Sequence, residues 1–199
     1  MVGLAWQPSV FDVAVPAVDV GFQGTRRREL GDGAWFDLAP QWLTGSAGLF
    51  EQVLDHAPWA EHERPMYERM VVEPRLSTRA WDDPPPLVRE LGGILSDRYE
   101  QDLGVVSANL YRSGRDSVAW HGDRVGRERT DTIVALLSLG NERRFLLRPT
   151  GGGGSLRLDL RSGDLLVLGG TIQRTWQHCV PKTARSTGPR ISVMWREWY

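Results

Sequence analysis

From Val105 to the end of the chain, short apolar runs alternate with turn-forming residues: VVSANLYR, SVAWHGD, TIVALLSLG, RRFLLRP, SLRLDL, DLLVLGG, TWQHCVP and RISVMWREW. The runs are too short for sustained helical stripes and rich in Val, Ile, Leu and aromatics, so they predict strands. Strands in such numbers bury their apolar faces by packing sheet on sheet, as in a β-sandwich or jelly roll. Gly151-Gly152-Gly153-Gly154 is a flexible hairpin connection. Without a following Lys-Ser/Thr and helix it is not a phosphate loop.

The first half of the chain has a different texture. Residues 1 to about 44 are rich in Gly, Pro and Trp, with one basic run at Arg26-Arg27-Arg28, and read as turns and short strands. Gly45-Ser46-Ala47-Gly48 leads into LFEQVLDHA, a helix by its apolar spacing, which stops at Pro58. MYERMVVEPRLSTRAW reads as extended. After the break at Asp82-Asp83-Pro84-Pro85-Pro86, LVRELGGILSDRYEQ reads as an amphipathic helix despite Gly92 and Gly93. The expectation is an α+β protein: residues 1–104 as an N-terminal extension with support helices, residues 105–199 as a jelly-roll core, the two forming one integrated domain.

Composition narrows the class. The chain has 199 residues, 41% of them hydrophobic, which suits a globular protein with a real core. No apolar run reaches a membrane span, and the N-terminus lacks the pattern of a signal peptide. The single Cys179 excludes an internal disulfide, so a cytoplasmic location is the simplest expectation. A net charge of −1 argues against a generally polyanion-coated protein. Lys182 is the only lysine, so nearly every cation is an arginine; a high-GC genome would produce the same bias. The nine tryptophans are assigned mostly to the core.

Within the β-rich half, WHGD puts His121 and Asp123 on one face of an extended chain. Such a triplet alone is common by chance. His178 in TWQHCVPK supplies a second imidazole, and two histidines with one aspartate make a facial triad that leaves metal positions open. The alternative is a polar histidine at a strand end. Alternation in PRISVMWREW puts Arg190, Ser192, Met194 and Arg196 on one face, and Ile191, Val193 and Trp195 on the other. Arginines facing a barrel interior need anions, and a small dicarboxylate would supply two; the alternative is an edge strand with both arginines in water. In VSANLYR, Ser107, Asn109 and Tyr111 share a face, either solvated or aimed at a carboxylate or keto-acid oxygen.

The ordered set NLY, HGD, WQHCVPK and RISVMWR resembles the AlkB family of iron(II)/2-oxoglutarate-dependent dioxygenases, whose pattern is Asn-x-Tyr, His-x-Asp, a distal His and Arg-x5-Arg. The resemblance extends to MYERMVVEPRLSTRAW, which looks like the family's nucleotide-recognition region, and to RRFLLRP and GDLLVLGG, covering about residues 64 to 196. It implies a double-stranded β-helix (jelly roll) with N-terminal helices and an extended nucleotide-recognition segment. It implies Fe(II) on His121, Asp123 and His178. It also implies 2-oxoglutarate held by Arg190 with Tyr111 at the far carboxylate, by Asn109 and Arg196 near the chelating end, and with Ser192 on the same face. The implied activity is oxidative dealkylation of N-alkylated bases in DNA or RNA, a repair reaction that consumes O2 and releases formaldehyde and succinate. A flipped base would stack between His121 and an aromatic, with Tyr67, Trp81 and Trp120 as candidates. Arg69, Arg75 and Arg79 are candidates for phosphate contacts.

The sequence departs from the family where an acidic residue closely follows the His-x-Asp aspartate. Arg124-Val125-Gly126-Arg127 has no acid before Glu128. The same oxygenase chemistry on a protein side chain or small molecule therefore stays open, as does a non-catalytic jelly roll holding zinc. His56 and His62 match no ligand position, and Cys179 reads as a buried, unreactive thiol. Nucleic acid is the expected partner, no membrane is expected, and the chain is expected to be a monomer.

Overall fold

Apolar side chains on both faces of TIVALLSLG make a strand buried along its whole length, and the molecule is built around it. The computed structural model describes residues 15–66, 69–123, 129–185 and 188–198. The first half forms β1 (Ala17–Val18), β2 (Arg26–Gly31), β3 (Ala34–Ala39), β4 (Leu43–Thr44) and α1 (Ala47–His56). It continues with β5 (Glu63–Met66), β6 (Arg69–Val72), β7 (Leu76–Ser77) and α2 (Pro86–Tyr99). The second half forms β8 (Val105–Tyr111), β9 (Val118–His121), β10 (Thr132–Gly140), β11 (Arg143–Pro149) and β12 (Leu156–Leu160). It ends with β13 (Leu165–Gly170), the single-turn α3 (Ile172–Thr175), β14 (Trp176–Val180) and β15 (Arg190–Arg196). Every run expected to be a strand after Val105 is one.

Two antiparallel sheets carry the fold. The major sheet has the order β2-β3-β13-β10-β15-β8-β7, and the minor sheet the order β12-β11-β14-β9. This is the double-stranded β-helix. Residues before Val105 contribute more than helices, because β2, β3 and β7 extend the major sheet. Asp37 interrupts the apolar pattern of β3 yet is buried. Arg27 bridges it at 2.8 Å and the Tyr99 hydroxyl donates to it at 3.0 Å, which satisfies the charge.

Strand alternation divides the core in two. Ile133, Ala135, Leu137, Ile191, Val193 and Trp195 face α1 and α2. Leu136, Leu166 and Leu168 face the minor sheet, meeting Phe145, Leu147 and Val180. The buried face of α2 is Val88, Leu91, Gly92 and Leu95, the spacing of one helical stripe. Gly92 has a packing cause: a Cβ there would lie 2.9 Å from Trp195 Cδ1. The bare helix surface lets the indole lie flush and donate from Nε1 to the Val88 carbonyl at 3.0 Å. No helix among the described residues is long and apolar enough to cross a membrane.

Candidate active site

The minor sheet brings the histidines together. β9 pairs with β14 so that His121 lies opposite His178, and their rings stand 4.3 Å apart between centroids. Asp123 lies two residues past the end of β9. Its Oδ1 lies 3.7 Å from His121 Nε2 and 3.7 Å from His178 Nε2. One ligand atom from each residue lies within 4.8 Å of the others, a span that one metal ion bridges. His121 Nδ1 is 2.8 Å from the Ala119 carbonyl, which only accepts, so Nδ1 donates there and Nε2 is the nitrogen turned toward Asp123. His178 is stacked on Phe145 at 5.2 Å and 14°. Burial pushes its pKa down to about 4, with Asp123 partly opposing and His121 adding to the drop. It is therefore neutral near pH 7, as ligation requires.

The turn that carries Asp123 is built against α3. A Cβ on Gly122 would lie 2.5 Å from the Gln173 carbonyl oxygen, so only glycine lets the two backbones approach this closely. The Asp123 N–H then donates to Gln173 Oε1 at 2.8 Å.

The major sheet supplies the facing wall. In register, Tyr111 lies opposite Arg190 and Asn109 opposite Ser192, with Ser138 on the far side of Ser192. Tyr111, Asn109, Arg190 and Ser192 line one small pocket together with the three candidate ligands, with a cavity volume of about 40 Å³. Arg190 is 1% exposed; its Nε donates to Ser138 Oγ at 3.1 Å, while Nη1 and Nη2 have no partner. Ser192 Oγ, equally buried, has none either. Burial lowers the Arg190 pKa to about 10, with Tyr111 partly opposing and Arg143 adding, so the group stays cationic at neutral pH. The Tyr111 ring lies 5.3 Å from the Arg190 guanidinium and 5.5 Å from that of Arg143. Burial raises the Tyr111 pKa, which keeps its hydroxyl protonated. A buried guanidinium with free donors is costly unless an anion meets it. The wall thus suits a carboxylate, and the opposite side suits a metal.

The other expected site residues divide. Arg75 reaches the pocket wall, where its Nε donates to Asn109 Oδ1 at 3.0 Å and it bridges Glu73 at 2.8 Å. It is held inside rather than spread on a surface toward phosphates. Arg196 lies half-buried on the Arg190 face but past the residues lining the pocket. Trp81 is not brought to the site: it is buried on the helix side with Trp195 and Val106. A larger cleft there, which Trp81 and Arg89 help line, holds none of the three candidate ligands. Trp120 is not brought in either. Strand alternation turns it away from His121, and Arg148 covers its ring at 4.2 Å. Arg79 is exposed. Tyr67, the Arg69 side chain and Arg124-Val125-Gly126-Arg127 lie outside the described residues. Cys179 is buried, as expected, and its thiol is pushed up to about 11 by that burial.

Sequence reasoning missed Ser138, Phe145 and Gln173. Ser138 left a trace, a polar residue inside an otherwise apolar strand. Gln173 left none, since one glutamine in a polar helix turn has no periodicity to break.

A double-stranded β-helix with two histidines and a carboxylate beside a buried arginine defines a class: the facial-triad metalloproteins of the jelly-roll type. Residues 49–196 match the model of the 2OG-Fe(II) oxygenase superfamily. The chain belongs to that family, whose cofactors are iron(II) and 2-oxoglutarate, and the donor set and the free Arg190 donors fit both. Curated relatives bear out the resemblance to AlkB. The chain is 30% identical over 180 residues to the alpha-ketoglutarate-dependent dioxygenase alkB homolog 3 of Bos taurus, covering 79% of this chain and 63% of the relative. It is 28% identical to the DNA oxidative demethylase ALKBH2 of Arabidopsis thaliana, covering 74% and 60%. The chain thus spans less than two thirds of the length of these relatives. Two solved structures share the fold. OsALKBH1 superimposes with a TM-score of 0.59 at 15% identity, covering 87% of this chain and 100% of that one. A Trichoplax adhaerens prolyl hydroxylase, solved with a hypoxia inducible factor peptide fragment, gives 0.60 at 13% identity, covering 81% and 82%.

Proposed function

We propose that this protein is an iron(II)/2-oxoglutarate-dependent dioxygenase that oxidatively dealkylates N-alkylated bases in DNA or RNA. Arg190 carries the oxygenase part of the reading. Its two unpartnered Nη groups and the Ser192 hydroxyl face the same pocket as the His121, Asp123 and His178 ligand atoms. Zinc alone would need no such anion clamp, whereas a dicarboxylate cosubstrate does. The nucleic-acid part is supported by relatives, one of which is named a DNA oxidative demethylase.

In this reading His121, Asp123 and His178 hold the metal, and Arg190 with Ser192 holds the far carboxylate of 2-oxoglutarate. Tyr111 packs against that end and helps keep it dry. Asn109, braced by Arg75, faces the end nearer the metal. When bound, iron(II) with 2-oxoglutarate and O2 supplies the oxidation of a substrate C–H bond, coupled to formation of succinate and CO2. An N-methyl carbon that gains a hydroxyl in this way leaves as formaldehyde, and the base nitrogen recovers its lone pair. The chain's share is to orient the cosubstrate and exclude water from a pocket walled by Phe145, Leu136 and Met194.

The test is formaldehyde release from an N-methylated single-stranded oligonucleotide under air with iron(II) and 2-oxoglutarate. Release by the wild type and not by Asp123→Ala is the expected result. Succinate without formaldehyde would keep the oxygenase and move its substrate to a protein side chain or small molecule, the option favoured by the acid-free Arg124–Arg127 stretch. Formation of neither product would overturn the catalytic reading.

A further inference from the structure

The two halves of the ligand set are weakly tied by their strands. β9 is only four residues long and lies at the edge of the minor sheet. It pairs with β14 at His178–His121 and Val180–Val118, with an irregular register between them. Asp123 lies beyond the last of these pairs. What holds it is Gln173, five residues before His178, on the turn of helix that leads into β14.

Three observations converge on Gln173. Its Oε1 accepts the Asp123 N–H at 2.8 Å. Its own carbonyl oxygen occupies the space a Cβ on Gly122 would need. The residue is 7% exposed, and its Nε2 has no partner. An apolar residue would fill such a place without leaving a buried amide donor unsatisfied, so the glutamine is kept at a cost. We propose that Gln173 is a positioning residue for the metal centre: it fixes the main chain at Asp123 against the segment carrying His178, and so sets metal affinity. The proposal rests on the metal-site reading above.

Partners of metal ligands typically contribute about 10–100-fold in affinity. Mn(II) affinity, followed by the loss of the free-ion EPR signal without O2 or substrate, reads this directly. Gln173→Leu keeps the shape and removes the acceptor, so affinity should fall about tenfold or more. Gln173→Glu restores an acceptor at the same reach, so affinity should return close to the wild-type value. At saturating Mn(II), calorimetric affinity for 2-oxoglutarate should stay unchanged in both, because Arg190 and Ser192 are untouched. Should Gln173→Leu fail to fold, Gln173→Met, of similar length, takes its place with the same expected loss. Wild-type affinity in the leucine variant, or equal weakness in the glutamate variant, would overturn the proposal. Parallel loss of 2-oxoglutarate affinity would also overturn it, as general loosening. A wild-type protein that binds no Mn(II) would instead refute the metal centre, and the proposal with it.

Discussion

Arg190→Met separates cosubstrate binding from folding, because the two should move in opposite directions. In the protein alone, the guanidinium is fully buried, spends one hydrogen bond on Ser138 Oγ and leaves both Nη groups unpartnered. Replacing it with methionine removes a desolvated charge and fills most of the same space. Exchanges of buried charge for apolar bulk are often neutral or stabilising by about 1–4 kcal/mol. With 2-oxoglutarate the balance reverses. Two charge-assisted hydrogen bonds to a carboxylate, each worth about 1.5–3 kcal/mol, are lost. A net loss of about 3–4 kcal/mol corresponds to roughly 10²–10³-fold weaker binding. Thermal unfolding in the presence of Mn(II) reads both quantities, with tryptophan fluorescence as the signal. At 2-oxoglutarate one hundred times its wild-type Kd, the wild type should gain about 2.7 kcal/mol, or about 5–11 °C for a domain of this size. The variant should gain almost nothing, and without cosubstrate it should melt no lower than the wild type. A variant that keeps the cosubstrate-induced shift would show that Arg190 does not meet the dicarboxylate. A much lower melting point without cosubstrate would show that its charge has a structural partner.

Three further outcomes follow from the same geometry. Asp123→Ala removes the carboxylate 3.7 Å from both imidazoles and should reduce Mn(II) binding at least tenfold in the EPR titration, with the fold retained by circular dichroism. Gly122→Ala drives a methyl into the Gln173 carbonyl at 2.5 Å, so it should cost about 1–3 kcal/mol in urea unfolding; unchanged stability would show that the turn yields freely. Cys179 has a folded-state pKa of about 11 against an ordinary 9, so its contribution to stability is intact below pH 9 and lost as pH rises to 11. The melting temperature should therefore fall less steeply between pH 9 and 11 in Cys179→Ala than in the wild type, and the native thiol should resist iodoacetamide at pH 8.

Period-two alternation made the strands after Val105 legible, and it sorted Arg190 and Ser192 from Ile191 and Val193 correctly. The same rule, applied strictly, turns Trp120 away from His121, because adjacent strand residues point to opposite faces. Trp81 was not decidable from its neighbours, since an aromatic in an extended segment suits a core and a ligand-stacking face equally well. It is buried in a core it shares with Trp195, more than a hundred residues away, which Gly92 allows to lie against α2. Asp37 puts a charge in the middle of β3. That charge is tolerable only through Arg27 and Tyr99, partners no local pattern discloses. Arg75 reads alone as a surface cation, and only the approach of β7 to β8 carries it to Asn109.

The missed contacts share a physical character: they are polar, buried and made across long sequence separations. Among the described residues, the buried side-chain atoms without partners are Thr25 Oγ1, Gln101 Oε1, Thr132 Oγ1, Gln173 Nε2, both Arg190 Nη groups and Ser192 Oγ. The last four of these lie at the pocket or on the residue that braces Asp123. Elsewhere, buried charges as demanding as Asp37 and Arg143 are satisfied by bonds within the chain. A fold that satisfies Arg143 with three main-chain carbonyls could satisfy Arg190 in the same way. It leaves both Nη groups of Arg190 without a partner, and under the proposed function each internal partner would compete with a bound carboxylate. The unmet donors cost stability in the protein alone and strengthen anion binding by the same interactions, which is why Arg190→Met should shift folding and cosubstrate affinity in opposite directions.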